Sequence, residues 1–169
     1  MRRTRIVAAG LLLCSVWGTV AVGEQLEKFR IGDWYASSWS ETGTKRISRC
    51  SALLTPNPAN DPRTFVGVQL NRDGTWTVGF GLSRQYFGAN ERVPIMLGGD
   101  GIEELRVVGT AIAPDLVQVT LTDAQLGRLN RETVVTITTS QSLHVRPVPA
   151  LTEPKAGLSD CMRRALAAE

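Results

Sequence analysis

The chain has one histidine, His144, and three cysteines, Cys14, Cys50 and Cys161, and these are the residues best suited to covalent or metal chemistry. Closely spaced thiols would exchange disulfides or hold zinc, and a histidine beside a serine and an aspartate would drive nucleophilic catalysis. Neither pattern is present. The cysteines have no C-x-x-C spacing, and His144 lies in "SLHVRPV" with no nucleophile-elbow sequence near it. Strand alternation predicts Leu143 and Val145 on the core face and His144 toward solvent. The acidic group Asp100, Glu103 and Glu104 in "GGDGIEEL" is too short for the spaced oxygen ligands of a calcium loop. Its glycines precede strand-forming residues, whereas a phosphate cradle requires a helix to follow. The segment reads as a hairpin turn. The sequence thus predicts no catalytic residue, no metal site and no cofactor.

The compartment follows from the first residues, "MRRTRIVAAGLLLCSVWGTVAVG". Arg2, Arg3 and Arg5 precede an apolar run from Ile6 to Trp17, and Ala21 and Gly23 supply the small residues of a cut before Glu24, the pattern of a Sec-type signal peptide. The run falls short of the about 20 residues of a membrane span. Arg2 and Arg3 lack a twin-arginine context, and Leu13 stands where a lipoprotein signal needs a small residue before Cys14. Residues 1–23 are therefore expected to be removed, leaving a periplasmic or secreted chain with no stable membrane span. Removal takes three arginines, so 16 basic residues face 16 acidic ones and nothing marks the mature chain as a nucleic-acid binder. It also takes Cys14. In an oxidising compartment the remaining pair, Cys50 and Cys161, is expected to form one disulfide closing most of the chain into a loop.

Residues 24–169 suit a single domain dominated by period-two alternation. "FVGVQL" and "TWTVGF" flank "NRDG". A three-residue loop from Arg72 to Gly74 sets Leu70 against Trp76, Val68 against Val78 and Val66 against Phe80, with Gly74 at the left-handed position. Strands follow in "RVPIML", "ELRVVGTAI", "LVQVTLT", "TVVTITTS" and "LHVRPV". Two helices are expected, a short one near "DAQLGRL" capped by Asp123 and a terminal one with Ser159 near its start. The terminal helix buries Leu158, Cys161, Met162, Ala165 and Leu166 and turns Arg163 and Arg164 outward. The fold class is an antiparallel β-sandwich or partly open barrel with a C-terminal helix.

Aromatic residues are scarce, so Trp34, Trp39, Tyr86 and Phe87 stand out. Five residues separate the two tryptophans, which places them on opposite faces of a strand. Trp34 is expected in the core, and Trp39 is a candidate surface contact. In "LSRQYFGANER", Tyr86 and Phe87 either plug an open end of the sandwich or, with Arg84, form a partner-binding loop.

Gly32, Asp33 and Trp34 in "FRIGDW", followed by Cys50 and Leu53 in "RCSALL", resemble the invasion-associated locus B family of small exported alphaproteobacterial proteins. The resemblance implies an all-β periplasmic or surface protein without known catalytic residues, linked in some members to host-cell invasion. That family's pattern has a cysteine four residues after the tryptophan, where this chain has Ser38; the pair left for a disulfide is the long-range one. Together these readings predict a non-enzymatic exported protein that binds or supports an envelope or host protein through Trp39, Arg84, Tyr86 or Phe87. An inhibitor of an exported protease or hydrolase is the alternative, and an enzyme using His144 or the Asp100 and Glu103 cluster is the third reading.

Overall fold

The strands after residue 64 begin with the hairpin of β4 (Phe65–Asn71) and β5 (Trp76–Gly81). Val66 pairs with Phe80, Val68 with Val78 and Leu70 with Trp76, the register that unites both apolar sets. Gly74 adopts φ +84° in the three-residue loop, a conformation that costs glycine little. The computed structural model describes residues 23–55, 64–99, 101–139 and 142–168. The expected leader, apart from Gly23, and Asp100 lie outside the described residues.

Before this hairpin come β1 (Gln25–Ile31), β2 (Trp34–Ser40) and β3 (Ile47–Leu54). After it come β6 (Arg92–Gly99), β7 (Ile102–Ala113), β8 (Leu116–Leu121), β9 (Thr133–Thr138) and β10 (Leu143–Val148). Helix α1 (Asp123–Gly127) follows β8, and α2 (Thr152–Ala167) ends the described chain. The strands form one antiparallel ten-stranded sheet in the order β1-β2-β3-β4-β5-β8-β7-β6-β9-β10. It is not closed: β1 and β10 are its edges.

Alternation gives the sheet an inner apolar face. Trp34 and Ala36 on β2, Val68 on β4, Val78 on β5, Val119 on β8, Ile95 on β6 and Ile137 on β9 are all buried in one core cluster. Helix α2 covers the β1–β4 half of that face. Leu158, Cys161, Met162 and Ala165 are buried there, while Arg163 and Arg164 face water. The helix approaches closely, because a Cβ at Gly157 would lie 2.5 Å from the Cδ1 of Ile31. Two boundaries differ from the sequence reading. The helix starts at Thr152, seven residues before Ser159, with Pro154 accommodated in its first turn. Its stripe also ends sooner, since Leu166 lies beyond the sheet and is half exposed.

Helix α1 is capped by Thr122, not Asp123. The Thr122 hydroxyl accepts from the Gln125 N–H at 3.2 Å, and the Gln125 side chain accepts from the Thr122 N–H at 2.9 Å, a reciprocal capping box. Asp123 is free for another task. Its carboxylate accepts from the Trp76 indole N–H at 3.1 Å and pairs with Lys155 of α2 at 2.9 Å, tying β5, α1 and α2 together. The hydrogen bond from Lys155 holds the Asp123 carboxyl below its ordinary pKa against an opposing desolvation, with the Lys155 charge and the Trp76 bond adding to the lowering.

Cys50 and Cys161 are bonded, with Cα atoms 6.3 Å apart and 111 positions between them. Both sulfurs sit in the core. Ser38, where the family pattern has a cysteine, is the direct cross-strand neighbour of Cys50 and is itself buried. Its hydroxyl finds no hydrogen-bond partner among the described residues.

Replacing both Cys50 and Cys161 with serine is expected to lower unfolding free energy by about 2–5 kcal/mol, the usual cost of losing a native bridge in a small exported domain. Urea denaturation of the variant against the parent measures it. Since both sulfurs are enclosed, reductant should act at the rate of unfolding; fast reduction of the folded protein would contradict the packing.

Candidate functional site

The strand pleat divides the two tryptophans as their spacing requires. Trp34 points into the core, and Trp39 lies half-buried on the outer face. Its indole N–H donates to Ser51 Oγ at 3.0 Å, and the Arg49 guanidinium lies 5.2 Å from the ring centroid. Two steps along the same face of the strand, beyond Ser37, Tyr35 is 61 % exposed with the Arg30 guanidinium 3.6 Å from its centroid. Desolvation lowers the Arg49 pKa from its ordinary value, as partial burial disfavours the charged form.

Loop 82–91 is pinned at its base. The N–H groups of Tyr86 and Phe87 both donate to the Pro114 carbonyl, at 2.7 and 3.1 Å, and the Leu82 N–H donates to the Asp115 carbonyl at 2.8 Å. Phe87 turns inward and is buried in the core, so it closes the sandwich end and offers no ring to a partner. Arg84 is exposed. Tyr86 is half-buried against the core, its ring centroid 4.2 Å from that of His144.

His144 overturns one sequence expectation. It is the inward-leaning, partly covered residue of β10, while Leu143 and Val145 stand 60 and 58 % exposed. The alternation is as expected and its phase is reversed: Val148 is the buried β10 residue, and His144 shares its face. Ser142 Oγ lies 2.8 Å from His144 Nε2. The pair has the contact of a nucleophile and base, but among the described residues no carboxylate hydrogen-bonds the histidine ring. Of the acidic cluster, Glu103 pairs with Arg128 at 2.9 Å and Glu104 with Arg106 at 2.8 Å, both as surface contacts. Among the described residues no three of histidine, cysteine, aspartate and glutamate gather as metal ligands. Nor is any described helix long and apolar enough to cross a membrane.

The reversed phase exposes a surface that sequence reasoning missed. Leu143, Val145 and Pro147 point outward from β10, opposite Thr138, Thr136 and Val134 of β9. Thr136 and Val134 in turn pair with Met96 and Gly98 of β6. Val108 of β7 lies on the same face and is 51 % exposed. The result is an outer face that is apolar toward the β10 edge, with Val108 on β7 set beside the outward Arg106–Glu104 pair. The signal in the sequence was Pro147, which has no N–H and suits an outward position on an edge strand.

Neither a protein-family model nor a curated protein sequence matches the chain. Among solved structures it is similar to the crystal structure of invasion associated protein B from Bartonella henselae, at TM-score 0.54 and 14 % identity, over 85 % of this chain and 100 % of that one. The likeness is one of fold, and at that level it agrees with the distant resemblance carried by Gly32, Asp33, Trp34 and Cys50.

Desolvation, then the Arg146 charge, lowers the His144 pKa from its ordinary 6.5. The fold therefore favours the neutral ring, and an unfolded chain takes up the proton first as the pH falls below about 6.5. Stability connected with His144 is intact above that pH and declines below it until the folded ring also titrates. As the one histidine, it gives a single imidazole proton signal whose NMR titration should have a midpoint below 6.5. His144→Gln should flatten acid destabilisation in the same window; a midpoint above 6.5 would contradict the packing against Tyr86.

Proposed function

We propose that this chain is a non-enzymatic exported protein, periplasmic or secreted, that works by binding an envelope or host protein. The observation that carries the reading is the apolar outer face of β10, β9, β6 and β7. Leu143, Val145, Val108 and Val134 are all exposed there on neighbouring strands. A contiguous apolar surface on a soluble domain marks an interaction site far more often than scattered apolar side chains do. Arg84 and Tyr86 belong to the opposite side of β10, where Tyr86 packs on His144, and form a second candidate contact at the same end of the sheet. The fold likeness to an invasion-associated protein and the signal-like leader fit the same reading.

An inhibitor of an exported protease or hydrolase is the second reading. It rests on loop 82–91, which is anchored at Pro114 and Asp115 while Arg84 remains exposed, as an inserting loop requires.

Crosslinking in the native cell identifies the partner, and binding is then measured with both proteins purified. L143D/V145D should weaken that affinity by about a hundredfold or more, because charges are placed in a desolvated interface. The same exposed substitutions should change stability by no more than about 0.5 kcal/mol. Unchanged affinity would count against the interface. A concentration-dependent dimer abolished by the double variant would reassign the face to self-association, and inhibition of an envelope protease lost in Arg84→Ala would favour the second reading.

A further inference from the structure

The opposite end of the sheet has a different outer face. Lys28 and Arg30 on β1 pair with Ser37 and Tyr35 on β2. Trp39 pairs with Arg49, and Ser37 with Ser51, on β3. No outward position on β1, β2, β3 or β4 carries a carboxylate. Lys28, Arg30 and Arg49 form no ion pair among the described residues. The face is therefore cationic although the chain beyond its leader is balanced, and the hydroxyls of Ser37 and Ser51 lie between the charges. They lie 3.3 Å from one another.

We infer that this face binds an acidic polysaccharide, with the anionic groups set against Lys28, Arg30 and Arg49, sugar hydroxyls on Ser37 and Ser51, and sugar rings against Tyr35 and Trp39. The combination of cations, hydroxyls and aromatic rings on one flat face points to this polymer. Lys28 and Arg30 are two residues apart on one strand, about 7 Å, and Arg49 lies two strands from β1, a lateral step of about 10 Å. Such sparse cations match one charge per sugar or two. Duplex DNA is the denser polyanion, with one charge per about 1.7 Å of axis over both strands, and is set against the polysaccharides in the test. A guanidinium lies near each ring, Arg30 at 3.6 Å from the Tyr35 centroid and Arg49 at 5.2 Å from that of Trp39, and Tyr35 is the more exposed ring for a sugar's C–H surface to meet. The inference uses a surface separate from the β10 interface and does not depend on that reading.

Titration calorimetry with polygalacturonate and chondroitin sulfate tests it, with dextran as the neutral polymer and duplex DNA and phosphatidylglycerol vesicles as competing polyanions. Both acidic polysaccharides should bind and dextran should not. K28Q/R30Q/R49Q should weaken binding about tenfold or more, and a fourfold rise in salt should do likewise by counterion release. Tyr35→Ala, which keeps the charge, should cost about fivefold for a lost stacking ring. Circular dichroism and melting temperature close to the parent's would show that the variants fold. L143D/V145D should bind the polysaccharides as the parent does, which separates a failure here from a failure of the partner interface. No binding, or binding unaffected by the triple variant, would overturn the inference. Equal affinity for DNA or for the vesicles would replace it with polyanion or membrane binding.

Discussion

The bond between Cys50 and Cys161 joins the middle of a strand to the middle of the one long helix among the described residues, and the sheet's architecture explains why that matters. An antiparallel sheet that does not close on itself leaves part of its apolar face without an opposing strand. Here α2 supplies the missing cover over the β1–β4 half. A helix at a chain terminus frays readily, and a covalent tie keeps it seated at little entropic disadvantage to the folded state. Gly157 against Ile31 and the Lys155 to Asp123 pair then set how closely and at what rotation the helix sits.

Once the inner face is covered, the outer face is left to carry function, and it is divided. The β1–β4 end combines cations, hydroxyls and aromatic rings, while the β10 end is apolar. Continuous hydrogen bonding through the intervening strands keeps the two surfaces on one rigid sheet. A sheet with an open edge risks edge-to-edge association, and Pro147 on β10 removes one of the donors that such pairing would use.

Much of this arrangement was legible in the chain. Val66, Val68 and Leu70 against Trp76, Val78 and Phe80 defined a register, because a slip by one residue would turn one apolar set to water. The disulfide followed from the expectation of export and from the number of cysteines that remain beyond the expected leader. Trp34 and Trp39 separated onto opposite faces because five is an odd number of strand steps. What misled the reading were places where local pattern was satisfied by two structures. Asp123 is a good helix cap in isolation, but Thr122 and Gln125 form the reciprocal box, leaving Asp123 to Trp76 and Lys155.

The sequence by itself determined the strand periodicity, the hairpin register, the cysteine pair and the unlike compositions along the chain, because each depends on neighbours a few residues apart or on simple counting. Only the tertiary structure decided which phase of β10 faced the core. "LHVRPV" alternates either way, and Leu143 and Val145 would ordinarily be the buried set. As an edge strand, β10 has a neighbour on one side only, and the ring of Tyr86, brought in by a loop anchored at Pro114, covers the His144 face. Register against β9, which sets His144 and Arg146 beside buried Ile137 and Val135, together with cover from a residue nearly sixty positions away, determines which side is inside, and that information exists only once the chain has folded.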